Sequence, residues 1–129
     1  MIKWNFEDKH FGLISELVNI VSPSMDERNM ALHLRNEWSK QGAEVKSDIM
    51  GNVYATMNND ETIHIGLIAH MDTACIQITK ILGNGLLQFR SIGLCPHLLL
   101  GQNMKILSNK GIIQGAIGFD PTSQYGQPK

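Results

Sequence analysis

Residues 63–69 read "IHIGLIA", a run with no acidic or basic residue other than one histidine and no proline, and it ends on His70-Met71-Asp72. A short continuous apolar run of this kind suits a strand covered on both faces. Nothing else in the chain constrains the fold as strongly, because such a strand needs a neighbour at its edges and a layer on each side. It also sets a histidine and an aspartate at its carboxyl end, where open α/β sheets take their ligands.

The chain around this run has two textures. Phe11, Ile14, Leu17, Val18 and Val21 recur at helical spacing, with Asn5 placed to cap the helix and Asp8 near its positive end. Ser22-Pro23 stops that helix, since proline disfavours helical geometry in the residue before it. Ser24-Met25-Asp26-Glu27 has the form of a capping box for a second helix, which buries Ala31, Leu34 and Trp38 and ends at Gly42. The period then changes to two. Residues 43–47 and 53–57 predict a hairpin around Gly51-Asn52, and "NNDE" turns the chain into the apolar run.

After Asp72 the pattern is one of short strands with glycine turns. Gly83-Asn84-Gly85 and Asn109-Lys110-Gly111 each predict a hairpin, and no helix intervenes, which points to a small β-barrel or sandwich. The final residues are polar and rich in Pro and Gly, a frayed tail. Three strands and two helices before residue 73 are few to cover a doubly buried strand, so the sequence reads as unfinished.

Composition narrows the function classes. At 129 residues, 43% hydrophobic and 18% charged, the chain has the length and apolar content for a domain-sized core. A net charge of -1 gives no electrostatic case for nucleic acid or a membrane surface. No apolar run approaches the roughly 20 residues of a membrane span, and the start of the chain has no signal-peptide pattern. A cytoplasmic location is therefore expected, with Cys75 and Cys95 as reduced thiols.

His-x-Asp at a strand end has a specific use. A neutral imidazole ligates a divalent metal through one nitrogen while a carboxylate holds the other. Other combinations fare worse. Cys95-Pro96-His97 with His64 and His70 matches no compact zinc spacing. Asp26 and Glu27 are explained by capping, Asp60 and Glu61 by a solvated turn, and Asp120 by the tail. Ser22, Ser24 and Cys75 lack a nucleophile elbow or a partner base.

Several motifs occur in a fixed order: "SELVNIVSPSMDER", "GAEVKSDIMGNVYATM", "IHIGLIAHMD", "ITKILGNGLLQFRSIG" and "LLLGQNMKIL". From about Phe11 to Gly118 the chain resembles the amino-terminal part of the glutamyl aminopeptidase and endoglucanase-like metallopeptidases, which include the tetrahedral aminopeptidases. The resemblance implies that His70 ligates one of two adjacent divalent metals, zinc or cobalt, and that Asp72 supports it. It implies an α/β fold class: the start of a metallopeptidase-type sheet domain in residues 1–72, then part of a β-barrel-like insert used for subunit contacts in residues 73–118, both incomplete, and a polar tail in 119–129. Thr73-Ala74-Cys75 departs from the acidic, apolar and glycine residues usual after the motif, and Ser22-Pro23-Ser24-Met25 replaces a glycine-rich turn.

The family's remaining metal ligands and its glutamate base lie further along its chain. A di-metal hydrolase needs ligands for both ions and a base for the water between them. The resemblance thus implies aminopeptidase chemistry on short peptides, with this chain an inactive portion that binds no metal tightly alone. The alternative is a non-catalytic truncated homologue acting as an oligomerisation or interaction module. The expected partners are a second copy or a full-length relative, with no nucleic acid and no membrane.

Overall fold

Amphipathic spacing and turn residues act locally, and locally the chain follows them. The computed structural model describes residues 8–58, 60 and 62–119, which divide into two compact units between Thr73 and Ala74.

In the first unit α1 (Asp8–Asn19) and α2 (Arg28–Lys40) occupy the two helical segments. The expected cap Asn5 lies outside the described residues. At the end of α1 the Asn19 side chain donates to the Ser15 carbonyl at 2.7 Å, and the Ile20 N–H donates at 3.2 Å to Leu17, a carbonyl the helix leaves open. Helix α2 starts later than the capping-box reading places it. Glu27 occupies the cap position without a side-chain cap bond, and its carboxylate instead accepts the Met25 N–H at 2.7 Å. Its far end is as expected. Gly42 has φ +82, its N–H donates to Ser39 at 3.0 Å, and the Ala43 N–H donates to Trp38 at 3.1 Å, the paired bonds of a glycine-terminated helix.

Strands β1 (Glu44–Ser47) and β2 (Val53–Thr56) pair antiparallel, Glu44 opposite Thr56 and Ser47 opposite Val53. Asp48 ties their turn. Oδ1 accepts the Met50 and Asn52 backbone N–H groups at 2.9 and 3.0 Å, and Oδ2 accepts Asn52 Nδ2 and Tyr54 OH, each at 2.8 Å. Helix α2 packs on this hairpin with Met30 buried and Ala31, Leu34 and Trp38 half-buried. The apolar stripe of α1 is less covered: Leu17 is half-buried, while Phe11, Ile14 and Val18 are exposed.

The doubly covered strand over 63–69 does not form. Those residues carry no strand and are exposed throughout, with Ile63 at 81%, Ile65 at 86%, Leu67 at 94% and Ile68 at 100%. The reason is the absence of a neighbour: among the described residues β1 and β2 pair only with each other, so no ladder receives the run. The α/β sheet expected of this half is therefore one two-stranded hairpin beside two helices.

The second unit consists of β3 (Cys75–Ile81) and β4 (Leu87–Ile92), a 3-10 turn at Pro96–Leu98, then β5 (Asn103–Ser108) and β6 (Gly111–Ala116). Both glycine turns fall as expected. The Leu82 N–H donates to Leu86 at 2.8 Å with Gly85 at φ +84, and Ser108 pairs with Gly111 at φ +110. Ile76, Ile78, Phe89, Met104 and Ile106 line an open apolar cleft of about 370 Å³ between the two hairpins. Leu99 and Ile117 are buried, and the Gly101 N–H donates to the Ile117 carbonyl at 2.8 Å. The expected barrel is corrected: each hairpin is its own two-stranded sheet, and among the described residues nothing closes the circle. The four strands among the described residues of this unit are fewer than the five of even a partly open Greek-key barrel such as the OB-fold. Cys75 and Cys95 form no disulfide, and no helix among the described residues is long and apolar enough to cross a membrane.

Candidate functional site

Residues on either side of Pro23 reach across about fifty positions to the end of the apolar run. Pro23 and Thr73 form an isolated parallel bridge. The Thr73 N–H donates to the Ser22 carbonyl at 2.7 Å, and the Ser24 N–H donates to the Thr73 carbonyl at 3.3 Å. Ser22 is 1% exposed, and its hydroxyl donates to the Met71 carbonyl at 3.1 Å. A buried hydroxyl must find such a partner. Proline has no N–H to offer a neighbour, so the flanking serines carry the bonds.

His70 and Asp72 sit on this platform. The Ser24 hydroxyl donates to Asp72 Oδ2 at 2.5 Å, while Asp72 Oδ1 lies 2.9 Å from His70 Nδ1. The Asp72 carbonyl oxygen is 3.0 Å from the same nitrogen. Both of these oxygens are acceptors when the carboxylate is ionised, so Nδ1 must carry the proton. The neutral ring then presents the Nε2 lone pair. The Ser24 hydroxyl bond, followed by the His70 bond, holds the Asp72 carboxyl below the ordinary carboxylate range. Asp72 is therefore the ionised member at neutral pH. The His70 side chain is 85% exposed, against 36% for Asp72, so the ring stands out from the platform and its anchor sits lower.

With Nδ1 engaged by Asp72, the atom of His70 left to ligate a metal is Nε2. Among the described residues no group of three or more His, Cys, Asp or Glu could hold a metal ion, so neither a two-metal centre nor the cysteine/histidine grouping is assembled there. Asp26 is engaged by Arg28 at 2.6 Å, and Glu27 by the Met25 N–H. Glu61 and Asp120 lie outside the described residues. The donor set present does not fit a complete metal site.

The sequence singles out His70 and Asp72, the latter as a support only through the resemblance, and it misses Ser22 and Ser24, which it explains as a helix stop and a cap. Their only sequence signal is the pair of hydroxyls flanking Pro23.

An imidazole steered by a carboxylate, at the end of an apolar run in a mixed α/β chain, is the arrangement used to orient a histidine ligand. Residues 51–128, more than half of the chain and inclusive of His70 and Asp72, match the family model of the M42 glutamyl aminopeptidases. The chain belongs to the M42 glutamyl aminopeptidase family. No curated protein matches it.

Proposed function

We propose that this chain contributes the His-x-Asp corner of a metal-dependent aminopeptidase acting on the amino-terminal residues of short peptides. His70 supplies one ligand to a divalent ion, zinc or cobalt, and Asp72 orients it. The observation that supports this reading is the hydrogen bond from His70 Nδ1–H to Asp72, which turns Nε2 outward. One ligand and its orienting carboxylate do not make a two-ion centre with its base, so residues 1–129 alone are catalytically silent.

Two measurements test it. Purified chain should leave aminoacyl-anilides and dipeptides intact with added zinc, cobalt or manganese. Turnover that disappears in His70→Ala would overturn the silent reading. Cobalt(II) titration followed by NMR should broaden the His70 ring before those of His10, His33, His64 and His97, and Asp72→Ala should abolish that preference. Uniform broadening of all five would overturn the ligand role.

A second reading has its own support. Ile63, Ile65, Leu67 and Ile68 are exposed on a segment with no strand partner, and an unpaired apolar segment favours pairing with another chain. In this reading the chain is an interaction module that forms a homo-oligomer or joins a full-length relative. Sedimentation across a concentration series should show association that Ile65→Asp weakens; a concentration-independent monomer would end it.

A further inference from the structure

Ser24 lies outside the residues that match the family model, and the helix assigned to it as a cap begins at Arg28 with Glu27 in the cap position. Its hydroxyl proton goes to Asp72 Oδ2. We propose that Ser24 is a positioning residue. By holding one oxygen of Asp72 it aims the other at His70 Nδ1, and so fixes the imidazole in the Nδ1–H tautomer with the Nε2 lone pair outward.

The argument rests on what is rigid and what is not. A carboxylate turns about a soft torsion with broad minima, so one contact to an exposed ring does not set its orientation. Two contacts on opposite oxygens do. His70 stands largely in solvent and has its described bonds only to Asp72, where water could serve either ring nitrogen equally well. The second acceptor, the Asp72 carbonyl, is placed by the backbone bonds between Ser22, Ser24 and Thr73. Those bonds do not involve the Ser24 hydroxyl. Removing it therefore unlatches the carboxylate and leaves the platform standing. Ser22 is different: buried and bonded to Met71, it belongs to the platform, and its loss would confuse support with aim.

This inference deepens the proposed role of His70 and rests on that reading for its use, yet the geometry is tested without metal. Long-range proton–nitrogen correlation spectra of the nitrogen-15-labelled chain, recorded near pH 8, above the ordinary imidazole range of about 6.5, report the tautomer directly. In the unaltered chain His70 should show a protonated Nδ1 and an unprotonated Nε2. In Ser24→Ala the two ring-nitrogen resonances should converge, as release of the carboxylate mixes in the Nε2–H form while the Asp72 carbonyl still accepts from part of the Nδ1–H population. Ser24→Thr keeps a hydroxyl and should restore the original pattern, with the His33 and His64 signals unmoved throughout.

If Ser24→Ala loses the Pro23–Thr73 bridge, Ser24→Cys replaces it with a near-isostere that donates weakly and must shift the tautomer the same way. An Nε2–H ring in the unaltered chain, or a tautomer unmoved by loss of the hydroxyl, overturns the proposal. Either result leaves the cobalt titration to decide the ligand role on its own.

Discussion

Residues 63–69, "IHIGLIA", and strand β6, "GIIQGA", have nearly the same texture: small, apolar, β-branched and without charge. One is bare and unpaired. The other is paired with β5 along its length, from Ser108 opposite Gly111 to Asn103 opposite Ala116. What separates them is the distance to a partner. The turn at Asn109-Lys110 brings β5 to β6 at once, and the Lys110 N–H donates to the Ser108 hydroxyl at 3.2 Å to hold it. For 63–69 no turn delivers a neighbour, and a strand without a ladder gains nothing against its conformational entropy. Apolar composition makes a segment able to be a strand; a partner nearby makes it one.

That contrast can be broken by mutation. Ile117, just beyond β6, is 5% exposed, and Ile117→Ala should cost about 2–5 kcal/mol in urea unfolding through lost transfer energy and a cavity. A cost near zero would mean that the second unit is not packed around it.

A smaller effect should appear with acid in the hairpin of β1 and β2. Hydrogen bonds from Asn52 first, then Tyr54, hold the Asp48 carboxyl below its ordinary value. A folded value lower than the unfolded one means that the turn's contribution is complete above about pH 4. It then fades as the pH falls through the lowered folded value. The Tyr54 and Asn52 resonances should follow that loss in an acid titration, and Asp48→Asn should remove the pH dependence. A hairpin indifferent to acid would show that the turn holds without its carboxylate.

The smallest effect belongs to the bare run. Ile65→Ala should change stability by no more than about 0.5 kcal/mol, as at other exposed positions. A cost like that of Ile117 would erase the comparison, because 63–69 would then be covered in solution.

What the sequence disclosed follows the same division. Gly42, Gly85 and Gly111 announced the helix end and two of the hairpins because each acts on residues within a turn of itself, where positive φ is required. The sheet around 63–69 was not legible, because a buried-strand pattern records tolerance for neighbours and says nothing of whether they arrive. The site divides likewise. His70 and Asp72 are two residues apart, a triplet that is weak by itself, and it is the ordered motifs around it that draw attention to the pair. Ser24 meets Asp72 from forty-eight positions away, and Ser22 meets Met71 from forty-nine. Each serine also had a sufficient local explanation, one beside a proline and the other before an acidic helix start.

The exposure of residues 63–69 has a consequence for the chain as a material. Seven apolar-rich residues with three isoleucines, one glycine and no proline, solvated and unladdered, resemble the segments that stack into cross-β fibrils. Asp60 on one side and Asp72 on the other are the nearest described acidic residues, and they act as gatekeepers whose repulsion opposes in-register stacking. Asp72 keeps its charge further into acid than an ordinary aspartate because of its bonds to Ser24 and His70. The hydrogen bonds that aim the histidine thus also preserve a charge that flanks the run and opposes its stacking.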